Sequence, residues 1–219
     1  MENYKKNLHL FKENNVYSEE MEHDACGVGI IASTEGKKSR KVVEYGIEAL
    51  KAVWHRGAVD ADGKTGDGAG IHVEIPKDFF IEKIEVTGHT HDNSEICVGM
   101  IFLPRNDYAA QESCKTIVES ELTKNDFSIY GWRQVPVNPK VLGEKAFQTM
   151  PEIIQVLFKP YDPELTNKDL ERKIYETRRK IENEAFKKSL NNFYICSLSS
   201  KSIIYKGMFL AEALSLIHI

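Results

Sequence analysis

Cys26 stands in "MEHDACGVGIIAS" (21–33), followed by glycine and then by alternating valine, glycine and isoleucine. A thiol becomes a strong nucleophile only where a base or a positive charge favours the thiolate. His23 is near in sequence but lies on a polar leader, and no other histidine is placed to act on Cys26. One economical base remains, the α-amino group that Cys26 would own as the first residue of a processed chain. An α-amine titrates near ~8, close enough to working pH to relay a proton. Cleavage between Ala25 and Cys26 would create it and would make residues 1–25 a propeptide-like leader. Against this stands the commoner fate of a lone cysteine, a small buried hydrophobe. That fate is the expectation for Cys97, Cys114 and Cys196, which form neither a CxxC pair nor a disulfide rhythm.

The second chemical stretch is "WHRGAVDADGKTGDGAGI" (54–71). Arg56, directly after a helix and before Gly57, can meet a carboxylate through its planar fork. On the residues alone a surface arginine or a helix cap is the favoured alternative. Gly63, Gly66, Gly68 and Gly70 fit neither GxGxxG nor GxxxxGK[ST], so a phosphate loop is rejected. They are expected to supply positive φ and close backbone approach. His89, His91 and Asp92 of "GHTHDN" are of metal-ligand type, but they sit in a polar connection with no matching pair elsewhere. A solvated loop is expected there, and no metal.

The elements that must position these residues follow from periodicity. "ICVGMIFLP" (96–104) and "IIQVLFKP" (153–160) are apolar, β-branched runs closed by proline, hence strands. "VGIIAS" after Cys26 and "AGIHVEI" (69–75) give two more, and "FYICSLSS" with "SIIYKG" (193–200, 202–207) is expected to form a hairpin. A helix runs from Ser39 as N-cap to Gly57, with Val42, Val43, Ile47, Leu50, Val53 and Trp54 as its apolar stripe. A second, opening at Asn167, carries Leu170, Ile174, Ile181 and Ala185 on a narrow apolar face, its charges forming a solvated surface. A third covers 107–123. The pattern is mixed α and β.

Composition bounds the rest. The chain has 219 residues, net charge −4 and 42% hydrophobic residues, which suits a globular protein with its own core. Nothing in the charge distribution argues for nucleic acid or an anionic membrane. No window approaches the roughly 18 apolar residues of a membrane span, and the first 25 residues lack a secretory h-region. The expected compartment is cytoplasmic.

Read together, "HDACGVGIIA", "AVWHRGAVDADGKTGDGAGIHVEIP", "YGWRQVPVNPKVLGEKAFQTMPEIIQVLF" and "NNFYICSLSSKSIIYKGMFLAE" resemble the glutaminase domain at the start of the glutamate synthase large chain. That domain is a class II glutamine amidotransferase, and the resemblance spans residue 22 to about 212. It implies an α+β N-terminal-nucleophile hydrolase, a four-layer α/β/β/α sandwich, here incomplete at the C-terminus. It makes residues 26–219 the first part of the amidotransferase domain, with "ALSLIHI" (213–219) atypical. It gives Cys26 the nucleophile role and Arg56, with His55 and Gly57 in the same turn, the task of shaping the glutamine site. Gly27 and the 66–70 glycines are weaker assignments, as strand geometry and scaffolding.

The resemblance further implies L-glutamine as substrate and ammonia transfer to 2-oxoglutarate by synthase domains of the same full-length chain. The electron donor there is ferredoxin or a small subunit. FMN and an iron–sulfur cluster belong to that full enzyme and not to this segment. The oxyanion donors, an asparagine–glycine pair in the family, lie beyond residue 219, so the 219-residue stretch by itself is expected to be inactive. Another class II amidotransferase is the alternative, against which "GWRQVPV" and the leader count.

Overall fold

The strand β2 (Cys97–Leu103) buries every side chain except that of Phe102, which is partly covered. A strand reads this way only when both faces of its sheet are packed. The computed structural model, which describes residues 2–14, 27–54, 57–92, 94–165 and 167–216, provides both coverings. β2 is central in an antiparallel four-stranded sheet with β3 (Phe127–Gln134), β4 (Glu152–Pro160) and β5 (Tyr194–Ser199), in the order β3-β4-β2-β5. Cys97, Ile101 and Leu103 point from β2 to one core, shared with Val156 and Phe158 of β4.

Two helices close that core. α4 (Tyr108–Lys124) contributes Cys114, Ile117, Val118 and Leu122, and α6 (Asn167–Lys187) contributes Leu170, Ile174, Ile181 and Ala185. Both sets recur at the three- and four-residue spacing that makes one helical face. α4 starts where Asp107 accepts the Ala110 amide at 2.9 Å, a side-chain cap of the usual kind.

The opposite face of the sheet, with Val98, Met100 and Leu157, packs against a second core that includes Ile203 and Phe80. Ile203 belongs to β6 (Ser202–Gly207), which pairs antiparallel with β1 (Ala69–Glu74) in a separate two-stranded sheet. Phe80 comes from α3 (Lys77–Val86). α2 (Arg40–Ala52) lies against β1, where Gly46 leaves only 3.5 Å between its missing Cβ and Ile71. The remaining helices are α1 (Glu2–Glu13) and the short α5 (Glu144–Thr149). No described helix is long and apolar enough to cross a membrane.

Several expectations need correcting. Residues 27–33 form no strand, and Val28 and Ile30 are almost fully exposed; alternation supplies a strand pattern, but here no edge pairs with it. Segments 193–200 and 202–207 are not a hairpin. β5 stays with β2, while β6 crosses to β1. The chain is turned between them by Glu171 of α6, whose carboxylate accepts the Ser200 amide at 2.6 Å, the Ser200 hydroxyl at 2.7 Å and the Ser199 hydroxyl at 3.0 Å. The charges of α6 are therefore not all a solvated surface. Lys173 also reaches Asp126 at 2.9 Å, and Arg178 donates to the Ile195 carbonyl at 2.8 Å. Ser39 does cap α2, its hydroxyl accepting from Lys41 N at 3.2 Å, yet the helix ends at Ala52, and Trp54 is exposed. α1, α3, β3 and α5 were not expected as elements from periodicity.

Candidate functional site

A cavity of about 1840 Å³ opens between the ends of the two sheets and the loops that follow α2. Gly27 and Gly57 both line it, as do Gly66, Gly68 and Gly70. Cys26, His55 and Arg56 lie outside the described residues. What is described is that the chain neighbours Gly27 and Gly57, 30 residues apart in sequence, line one cavity.

The glycines behave as their spacing predicts. Gly63 and Gly68 adopt φ of 68° and 122°, a region L side chains rarely enter. Gly70 packs so closely on β6 that a Cβ would stand 2.8 Å from the Lys206 Cβ and 2.9 Å from the Tyr205 carbonyl oxygen. The glycines at 66, 68 and 70 are thus pressed onto β6 and the residues that follow it.

One aspartate organises that loop. Asp62 Oδ1 accepts the amides of Lys64 at 2.9 Å and Thr65 at 2.7 Å, while Oδ2 accepts the Thr65 hydroxyl at 2.6 Å and the Glu144 amide at 3.1 Å. These donors, the Thr65 hydroxyl first, lower the Asp62 pKa to about 2. A carboxylate depressed in this way contributes fully above its unfolded value near 3.8 and loses that contribution only as pH falls through about 2. The loop is therefore fully held wherever an α-amine of ~8 can work. Lys145 adds a salt bridge to Asp60 at 2.5 Å. Sequence reasoning missed Asp62; the signal was the Asp-x-x-Thr spacing, in which a carboxylate binds backbone two and three residues on.

The remaining polar candidates do other work. Asp92 is paired with Lys159 and with the Ser94 hydroxyl, contacts that hold its carboxyl well below the usual range. His89 lies 3.1 Å from the Thr87 hydroxyl, and His91 Nδ1 is buried with no hydrogen-bond partner. Among the described residues no group of three His, Cys, Asp or Glu side chains could hold a metal ion.

Cys97, Cys114 and Cys196 are free and buried, as expected of small hydrophobes. Burial raises all three thiols, that of Cys114 to about 11. Native protein at pH 8 should therefore leave these three unmodified by a neutral disulfide reagent, and denaturant should release them together. Reaction of any of the three before unfolding, read by peptide mass mapping, would contradict this packing.

Comparison with known proteins fits the cavity to a family. The model for class-II glutamine amidotransferases matches residues 26–218 and so begins at Cys26. The chain is 55% identical over 201 residues to the glutamate synthase [NADPH] large chain of Azospirillum brasilense, covering 92% of this chain and 13% of that one. It is 40% identical over 200 residues to ferredoxin-dependent glutamate synthase 1 of Arabidopsis thaliana, covering 90% of this chain and 12% of the relative. A ferredoxin-dependent glutamate synthase of Synechocystis is 38% identical over 189 residues, with 85% and 12% covered. The chain spans about an eighth of the length of these relatives. With antiparallel sheets, covering helices and a matched region that starts at the cysteine singled out by its chemistry, the chain belongs to the class-II glutamine amidotransferases, and its domain matches the amino-terminal region of glutamate synthase large chains.

Proposed function

We propose that this domain is the glutaminase of a glutamate synthase, releasing ammonia from L-glutamine with Cys26 as nucleophile. The observation that carries the proposal is that Gly27 and Gly57 line the same cavity, which brings the chain next to Cys26 and next to Arg56 toward one space. The start of the family match at Cys26 supports removal of residues 1–25. The packing of α4 and α6 on one sheet, and of α2 on the other, supports a four-layer N-terminal-nucleophile sandwich for the complete domain.

The chemistry then runs on one residue's two ends. The free α-amine of Cys26 takes the thiol proton, directly or through a water, and the thiolate attacks the side-chain amide carbon of glutamine. The tetrahedral oxyanion is met by preorganised donors, typically worth several kcal/mol. The α-ammonium returns its proton to the leaving nitrogen, ammonia departs, and water hydrolyses the γ-glutamyl thioester to glutamate while the thiol is regenerated. Arg56 holds the substrate's carboxylate side through its planar fork, with His55 and Gly57 shaping the turn around it.

The likeness to glutamate synthases supports a consumer of the ammonia in the rest of the full-length chain. Synthase domains of the same full-length chain transfer it to 2-oxoglutarate, with electrons from ferredoxin or from an NADPH-oxidising subunit. FMN and an iron–sulfur cluster would serve that reduction. A cytoplasmic location suits the three unpaired, buried thiols.

The test is the intact mass of the full-length protein expressed from its own gene, before and after a glutamine-mimicking electrophile. The expected species begins at Cys26 and gains one adduct mapped to that residue. A chain that retains Met1 and still turns over glutamine would remove the α-amine from the mechanism.

A further inference from the structure

The loop after Gly57 and the segment before α5 are distant in sequence, yet Asp62 spans 82 residues to accept the Glu144 amide. The join is tight. A Cβ on Gly143 would fall against Thr65 Oγ1 and Asp62 Oδ2 and within 2.6 Å of the Thr65 amide nitrogen, so only glycine fits. Both joined segments line the cavity, Gly57, Val59 and Gly66 from one side and Asn138, Val141 and Leu142 from the other. Thr65, which shares the Asp62 carboxylate, is buried at the seam. A loop of four closely spaced glycines has little stiffness of its own, so its position is set by whatever it is bonded to.

We propose that Asp62 is a positioning residue for glutamine, holding loop 57–67 on segment 142–145 and so fixing the cavity wall that continues from Arg56. This rests on the glutaminase reading above. The substrate's carboxylate end, which Arg56 meets in that reading, depends on the latch, whereas the thiol chemistry at Cys26 does not. Small displacements of a substrate-holding wall weaken binding sharply.

Two variants test this in the full-length chain. Asp62→Asn keeps one acceptor oxygen for the loop amides but sets an NH2 against the Glu144 N–H. Glu144→Pro deletes that N–H, along with an exposed carboxylate that Gln148 reaches at 3.4 Å, at the first position of α5, where proline suits a helix and where Gly143 is already extended at φ −73°, ψ 166°. Each should raise the KM for glutamine about tenfold and leave kcat within about twofold. Each should also slow Cys26 labelling by a glutamine-mimicking electrophile about tenfold relative to iodoacetamide, a small neutral reagent for the same thiol.

The parent is first compared with Cys26→Ser. If the parent itself releases no glutamate from glutamine, the glutaminase reading fails; if Cys26→Ser keeps parental hydrolysis, the assignment of Cys26 as its nucleophile fails. If Cys26→Ser is inactive but Asp62→Asn and Glu144→Pro both keep the parental KM and labelling ratio, the positioning role alone is overturned. Equal slowing of both reagents with a fall in melting temperature makes Asp62 merely structural and overturns the role as well.

Discussion

Cys26→Ala in the full-length protein is expected to lower kcat/KM for glutamine hydrolysis by at least about 10³-fold. The size follows from what the thiol does in the proposed mechanism. It divides amide cleavage into formation and hydrolysis of a thioester, and without it water must attack an unactivated amide directly. No other described thiol can substitute, because Cys97, Cys114 and Cys196 are buried with raised pKa values. Cys26→Ser should also fail by a large factor, since an α-amine near ~8 is poorly matched to a hydroxyl proton. Blocking the amine, by retaining residues 1–25, should cost nearly as much as removing the thiol, because both belong to one proton relay. Steady-state ammonia release checks all three. Activity of Cys26→Ala within tenfold of the parent would move the nucleophile elsewhere.

Glu171→Ala should carry the largest stability cost of any single substitution at the sheet-to-sheet corner, about 3 kcal/mol. Its carboxylate answers three donors from Ser199 and Ser200, and Ser200 is only 1% exposed. Alanine leaves a buried backbone amide and two hydroxyls without their acceptor, and an unmade buried hydrogen bond costs more than a made one contributes. Glu171→Gln keeps one acceptor oxygen and offers an NH2 that a serine hydroxyl can accept, so about 1 kcal/mol is expected. Urea unfolding of the two variants separates them. Equal midpoints for Glu171→Ala and parent would mean that water satisfies the turn.

The corner also explains what periodicity could and could not reveal. β2 and β4 were legible because their apolar runs stop at Pro104 and Pro160, and α2 because Ser39 caps an amphipathic stripe. The two strands 194–199 and 202–207 look alike whether they pair or part, since a short polar turn serves either course. What parts them is Glu171, on a helix more than twenty residues earlier. α3 was missed although Phe80 and Ile84 are spaced for one buried face. The site was half legible. Glycine spacing foretells the bent loop, whereas Cys26 draws its proposed role from the resemblance as much as from its chemistry. Asp62 stayed hidden because its decisive partner, Glu144, is remote in sequence and offers only a backbone amide.

The pairing of β1 with β6 has a consequence in time. His72 and Ser202 touch across that pair while standing 130 residues apart in the chain. Closing so long a loop must be settled in entropy before the pairing returns anything. In the four-stranded sheet β4 can pair with β2 and β3 sooner, while β2 also waits for β5. During synthesis the wall carrying Gly66, Gly68 and Gly70 must therefore wait, unpaired, until Ser202–Gly207 has left the ribosome. A wall translated early is thus organised only once a strand translated much later has emerged, so this side of the cavity matures late.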